Sequence, residues 1–325
     1  MEYVDALIIG GGPCGLSAAI ELKEIGLQTV VIEKGNIVNA IFNYPTHQTF
    51  FSTSEKLSIG DVPFIIEGRK PKRNQALVYY REVVKRSGIK VQPFETVEHV
   101  ERNEQDGSFS VKTSKGYYQA KYVIAATGYY DQPNALNVEG AKLPKVMHYF
   151  KEGHPYFDQD VLIIGGKNSA VDAALELHKA GSRVTVSYHG TSYSKSIKPW
   201  ILPEFDGLVR KGEITMLFDS MVDKITDTSV ELTVNDQKET IPNQFVFAMI
   251  GYHPDHGFLK SMGISIDPVS GRPTFNEETM ETEVDNLYIA GVIAAGNNAN
   301  EIFIENGRFH GQQIAEAIAK KESTV

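Results

Sequence analysis

Twice in this 325-residue chain a strand-like apolar run breaks into a glycine-bearing turn, continues as a helix and returns as a second strand. That duplication limits the fold more than any other feature. Residues 4–9, apolar but for Asp5, have the pattern of a strand covered on both faces of a parallel sheet. Gly10, Gly12 and Gly15 follow in GxGxxG spacing, Leu16–Ile25 carries helical apolar spacing closed by Gly26, and Thr29–Ile32 reads as the next strand, ending at Glu33. The second copy runs Val161–Ile164, Gly165–Ala170, a helix to Lys179, Gly181 and a strand Arg183–Ser187. Each copy is a β-α-β unit of about thirty residues, so two dinucleotides are expected.

Each glycine of the first loop has a task. Gly10 permits the tight turn, Gly12 lets the backbone approach a pyrophosphate, Gly15 lets helix and strand pack closely, and Glu33 accepts the ribose hydroxyls. The second loop is degraded, with Lys167 in place of the middle glycine and Ala170 in place of the last. Its strand ends in Tyr188-His189 with no carboxylate for a ribose, while Arg183, His189, Lys195 and Lys198 supply positive charge. A 2'-phosphate suits that surrounding better than a 2'-hydroxyl, which selects NADPH over NADH.

Segments 97–102, 108–113 and 118–125 alternate as strands, with turn chemistry at Asp106-Gly107 and Lys115-Gly116, and read as a meander appended to the first sheet. Residues 214–249 repeat the theme, with turns at Asn235-Asp236 and Pro242-Asn243. From Asn286 the tail offers a strand Leu287–Ala290, a glycine-rich turn and a helical stretch ending near Lys320. That strand returns to the first sheet. The expected fold is α/β, with two Rossmann-like three-layer nucleotide-binding domains, the second inserted into a split first: 1–128, 129–250 and 251–325, with crossings near 126–130 and 249–253.

A net charge of −9 lacks the basic footprint of a nucleic-acid or anionic-membrane partner. No apolar run approaches the ~18 residues that span a bilayer. The chain enters its first strand at Tyr3, with no room ahead for a secretory leader, and a cytoplasmic location is expected. Cys14 is the single cysteine, which forbids an internal disulfide and fits a reducing compartment. His253 and His256 lack the spacing of a metal site, and no metal is expected.

Gly10-Gly11-Gly12-Pro13-Cys14-Gly15-Leu16, Ala126-Thr127-Gly128, Ile250-Gly251-Tyr252-His253-Pro254 and Ala290-Gly291-Val292-Ile293-Ala294-Ala295-Gly296 together resemble the thioredoxin-reductase-like flavoproteins over nearly the whole chain. That resemblance implies FAD on the first fold, held by Gly10, Gly12, Pro13, Cys14, Gly15, Glu33, Lys34, Val97, Thr127, Gly128, Gly291, Gly296 and Asn297. It implies NADPH on the inserted fold, held by Gly165, Gly166, Lys167, Asn168, Ser169, Ala170, His189 and Lys195. Two departures stand out. Asn297 and Asn298 follow Gly296 where the family carries Asp, and the inserted domain has no CxxC, so the dithiol of a thioredoxin reductase is missing.

Cys14 in the first glycine loop, Phe50-Phe51-Ser52-Thr53-Ser54, Gly165–Ala170 and Ser196-Ile197-Lys198-Pro199-Trp200 are similar to the bacillithiol-disulfide reductases. The resemblance implies NADPH-dependent reduction of a small disulfide by a homo-oligomer, with Cys14 as the catalytic nucleophile. Read from chain position alone, Cys14 is equally a small packing residue. The helix end favours a thiolate there and a cofactor pyrophosphate opposes one. Arg69, Lys70, Lys72 and Arg73 either receive the substrate's carboxylates or form a solvated loop. The alternative activity is electron transfer, as in thioredoxin-reductase-like ferredoxin or flavodoxin NADP reductases, which need no Cys14.

Overall fold

The computed structural model describes residues 2–323. The chain divides into two compact units, residues 1–132 with 252–325 and residues 133–251, so the crossings fall a few residues after 126–130 and inside 249–253.

The first unit opens with β1 (Glu2–Ile9), α1 (Pro13–Glu24) and β2 (Thr29–Glu33). Two short helices follow, α2 (Asn39–Asn43) and α3 (Ser54–Leu57), then α4 (Arg73–Ser87) and β3 (Lys90–Pro93). The sequence reading did not anticipate α4. It buries Ala76, Tyr79, Tyr80 and Val83 at helical spacing, and begins at Arg73, inside the basic run. Strands β4 (Val97–Arg102), β5 (Phe109–Thr113) and β6 (Tyr117–Ala125) form the expected antiparallel meander. The meander is not merely appended, because β6 lies parallel to β1 from Tyr118 to Ala125 and is a central strand of the sheet ordered β3-β2-β1-β6-β5-β4.

The second unit holds β7 (Val146–Met147), β8 (Asp160–Ile164), α5 (Asn168–Lys179), β9 (Arg183–Ser187), α6 (Leu202–Arg210) and β10 (Ile214–Leu217). It closes with β11 (Ser220–Ile225), β12 (Ser229–Val234), β13 (Gln237–Pro242) and β14 (Phe245–Ala248). Its parallel sheet is ordered β10-β9-β8-β14-β7, while β11-β12-β13 form a separate antiparallel sheet. The apolar runs Val161–Ile163 and Phe245–Ala248 supply its core beneath α5.

The first unit then resumes with α7 (His256–Ser261), β15 (Leu287–Ile289), α8 (Ile304–Gly307) and α9 (His310–Glu322). Strand β15 pairs with the C-terminal half of β6 from Val123 to Ala125, while the N-terminal half of β6 holds β5, so the sheet forks along one long strand. Helix α9 packs on α1 so closely that a Cβ on Gly311 would stand 2.7 Å from the Ala18 Cα. Among the described residues no helix is long and apolar enough to cross a membrane, and no group of three His, Cys, Asp or Glu could hold a metal ion.

Candidate active site

In the first unit the glycine loop joins β1 to α1 as its spacing requires. Gly10 has φ +112°, and a Cβ there would lie 2.4 Å from the Ala126 carbonyl oxygen. Gly15 is tighter, since its Cβ would stand 2.0 Å from the Gly10 oxygen, which is why only glycine lets α1 start against the strand. Gly12 differs in kind: it caps α1, with no side-chain cap, and a Cβ there would meet nothing within 4 Å. Pro13 occupies the first helical turn, where its missing N–H costs nothing. The loop therefore presents α1's unpaired amides to open space, as an anionic group needs.

Other predicted residues border the same space. Glu33 is buried, and its carboxylate accepts the Gly11 and Gly35 amides at 2.7 Å each. Those bonds tie the loop to the end of β2 and leave lone pairs free for a hydroxyl. Lys34 is exposed and pairs with Asp131. The segment leading to Val97 runs alongside, with Glu95 N–H bonded to the Glu33 carbonyl and Phe94 N–H to that of Gly35. Val97 itself is buried in the β4–β5 ladder opposite Thr113. The Thr127 hydroxyl is buried without a partner, and Gly128 beyond it has φ +70° with open space where a Cβ would be. An orphaned hydroxyl and two glycines facing emptiness fit a dinucleotide held across this loop.

Gly291 reaches the first loop, and Gly296 lies elsewhere in the same unit. The Ala290 amide bonds to the Ala125 carbonyl at the end of β6, which sets Gly291 against Cys14, where its Cβ would lie 3.1 Å from Sγ. Gly296 and Asn297 pack on the turn at Ser270–Arg272: the Asn297 amide bonds to the Ser270 carbonyl, and a Cβ on Gly296 would meet the Gly271–Arg272 backbone.

Cys14 lies in the first turn of α1, partly exposed and with no disulfide partner. Gly307 adjoins Gly291 and also covers Cys14, since a Cβ there would stand 3.0 Å from Sγ and 3.2 Å from the Gly291 Cα. The half-buried Tyr44 and buried Tyr80 phenols lie within electrostatic reach of the sulfur. Burial pushes the thiol up to about 12. His310, which no sequence motif marked, accepts the Gly291 amide through Nδ1 at 3.1 Å.

In the second unit Gly165 has φ +135° and a Cβ there would lie 2.4 Å from the Met249 oxygen, matching the role of Gly10. Ala170 is buried 3.5 Å from that Cβ position, small enough to replace the last glycine. Lys167 caps α5, and Lys167 and Ser169 are exposed. Gly166 lies under the Tyr188 ring, which in turn packs beside exposed His189, their centroids 4.7 Å apart. The Asn168 side chain is committed to the protein: it donates to the Ser196 carbonyl at 2.8 Å and accepts the Lys198 amide at 2.9 Å. That latch fastens the loop bearing exposed Lys195 to the start of α5.

Two basic groups leave the candidate set. Arg183 is bound by Asp158 and Asp160 and sits at the start of β9, about 13 Å from the strand end at Ser187. Arg73 is buried, with its guanidinium on the Phe42 carbonyl, 5.3 Å from the Phe42 ring centroid. It holds α4 to α2 and is not offered to a substrate.

These geometries define a two-nucleotide oxidoreductase fold, and the comparisons agree. Residues 7–291 match the pyridine nucleotide-disulphide oxidoreductase family, and the chain belongs to it. It is 66% identical to bacilliredoxin reductase of Bacillus subtilis over 319 residues, 98% of each chain. The solved bacillithiol disulfide reductase of Staphylococcus aureus superposes with TM-score 0.96 at 60% identity, covering 99% of this chain and 100% of that one. Thioredoxin reductase of T. acidophilum, at 19% identity and TM-score 0.79 over 99% of this chain and all of its own, shares the fold. The protein is a flavoprotein disulfide oxidoreductase using flavin and NAD(P)H.

Proposed function

We propose that this chain reduces bacillithiol disulfide with electrons from NADPH, binding FAD on the unit that begins and ends the chain and NADPH on the inserted one. The observation that carries this reading is Cys14: the chain's one cysteine stands in the cofactor loop itself, against Gly291 and Gly307. The relatives named for bacillithiol disulfide and bacilliredoxin support the substrate class. Bound flavin supplies the two electrons that NADPH delivers.

On the protein side, Gly10, Gly12, Pro13, Gly15 and Gly128 leave the backbone close to the cofactor, Thr127 offers its unpaired hydroxyl, and Glu33 and Lys34 stand at the ribose end. The start of α5 receives the pyrophosphate of NADPH, and His189 and Lys195 beyond the end of β9 receive its 2'-phosphate. Cys14 Sγ, once deprotonated, attacks one sulfur of the substrate; a bond forms to that sulfur, the S–S bond breaks, and the leaving thiolate takes up a proton as free thiol. The chain holds no second cysteine, so the mixed disulfide needs two electrons and a proton from outside the thiol pool. Its thiol sits at about 12, so turnover rises with pH through the alkaline range. The same reading expects a cytoplasmic homo-oligomer, measurable by sedimentation.

The test is Cys14→Ala, which should keep flavin and NADPH-driven flavin reduction but lose disulfide turnover. Wild-type protein quenched after exposure to bacillithiol disulfide should carry one added thiol mass on the Cys14 peptide. Absence of that adduct together with wild-type turnover by Cys14→Ala refutes the role. Transfer to flavodoxin or ferredoxin that outpaces disulfide reduction would favour the electron-transfer alternative.

A further inference from the structure

We propose that His310 is the positioning residue of the Cys14 sulfur, holding it through Gly291. The chain of contacts is short. Gly291 takes φ +80°, a conformation glycine tolerates, and its Cα faces Cys14 so closely that a Cβ would meet the Cys14 Cβ at 3.0 Å and Sγ at 3.1 Å. Its amide donates to His310 Nδ1 at 3.1 Å. Gly307 stands beside Gly291, with its Cβ position 3.0 Å from Sγ and 3.2 Å from the Gly291 Cα. The sulfur therefore rests against two adjoining glycine backbones, one of which is tied to an imidazole.

His310 is itself anchored. It is the first residue of α9, and the next residue, Gly311, sits on the Ala18 backbone of α1. The Ser17 hydroxyl donates to the Arg308 carbonyl at 2.7 Å, fixing the same junction one turn beyond Cys14. The ring, the turn and the sulfur thus share one rigid frame on α1. A backbone amide can only donate, so Nδ1 accepts and the proton resides on Nε2. Burial lowers the ring's pKa to about 4, which keeps it neutral and able to accept throughout the working range. Among the described residues Nε2 has no partner.

The inference rests on the reading that Cys14 is the attacking sulfur, but its test uses no disulfide. Flavin-loaded protein is treated with iodoacetamide at pH 8, and Cys14 alkylation is followed by peptide mass. In His310→Ala the Gly291 amide loses its acceptor, a loss that destabilises the observed turn by roughly a factor of ten or more. The freed turn lets more water reach the thiol, and alkylation should accelerate by about three- to fourfold for each unit its pKa falls, the tenfold gain in thiolate being partly offset by its lower nucleophilicity. In His310→Asn the side-chain oxygen takes the place of Nδ1, and alkylation should stay near the wild-type rate. Nitrogen-15 spectra of histidine-labelled wild type should show His310 protonated on Nε2 alone. Alkylation of His310→Ala at the wild-type rate, His310→Asn behaving as His310→Ala, or a proton on Nδ1 overturns the proposal. Should His310→Ala fail to fold, the asparagine variant and the wild-type spectrum still decide. A missing Cys14 adduct with bacillithiol disulfide would sink the function and leave this result standing.

Discussion

Gly12 and Gly15 stand three residues apart in one loop, and their substitution should separate cofactor binding from folding. At Gly15 an added Cβ would lie 2.0 Å from the Gly10 oxygen, and the neighbour is rigid backbone at the end of β1. Restoring an ordinary contact requires a shift of about 1.4 Å between α1 and the strand. Overpacking of that kind costs about 3 kcal/mol. For a unit of this size each kcal/mol lowers Tm by about 2–4 °C, so Gly15→Ala should melt about 6–12 °C early. Gly12 has φ −75° and ψ 173°, which valine adopts without strain, and nothing lies within 4 Å of its Cβ direction. Replacing a glycine cap costs at most about 1 kcal/mol. Gly12→Val should therefore fold with a Tm within about 4 °C of wild type as flavin-free protein, yet purify with little flavin, because the branched side chain fills the space a pyrophosphate needs. Absorbance at the flavin band against protein absorbance gives occupancy, and thermal denaturation of the stripped proteins gives Tm. Full occupancy in Gly12→Val, or an unchanged Tm in Gly15→Ala, would refute this account of the loop.

Wild type should prefer NADPH to NADH, and His189→Ala with Lys195→Ala should narrow that preference by about 1.5–3 kcal/mol, the worth of hydrogen bonds between charged groups; equal kcat/KM for the two nucleotides in wild type contradicts the assignment. Arg73→Ala should lower stability by about 1.5–3 kcal/mol, because a charged donor to the Phe42 carbonyl is lost in a buried place, while KM for the disulfide stays unchanged; a raised KM with normal stability would return Arg73 to the substrate site. His310 has its pKa lowered by burial to about 4, so the unfolded chain binds its proton first. The stability this neutral ring contributes is complete above about pH 6.5 and declines as pH falls towards 4. Urea midpoints should show that part of the acid loss disappearing in His310→Asn, and identical pH profiles for the two proteins would count against it.

What could be read from the sequence follows from how local each cause is. Strands β1 and β8 declare themselves because a parallel strand covered on both faces is apolar along most of its length, and the glycines at 10, 15 and 165 mark close backbone contacts where each strand gives way to its helix. Charges were harder to read, since a cation's use depends on partners distant in the chain. Arg73 meets Phe42, 31 residues away, and Arg183 meets Asp158 and Asp160, so two of the basic side chains weighed in the sequence are engaged by the fold. Asn168, legible as a loop residue, spends its amide on residues 196 and 198 instead.

The C-terminal turn shows why spacing alone misleads. Ala290-Gly291 and Ala295-Gly296 are two alanine-glycine steps five residues apart, and either could face the first loop. The choice is made by a single backbone bond, from Ala290 N–H to the Ala125 carbonyl, which ends the β15–β6 pairing and delivers residue 291 to the side where α1 begins. Residue 296 is then carried a further turn of 3-10 helix away, onto Ser270–Arg272. The consequence reaches Cys14. The glycine that meets its sulfur is the one whose amide finds His310, 19 residues on. The contact on the Cys14 sulfur is thus set by where β15 stops, and moving that endpoint by one residue would set Val292, with a β-branched side chain, against the sulfur in place of a glycine.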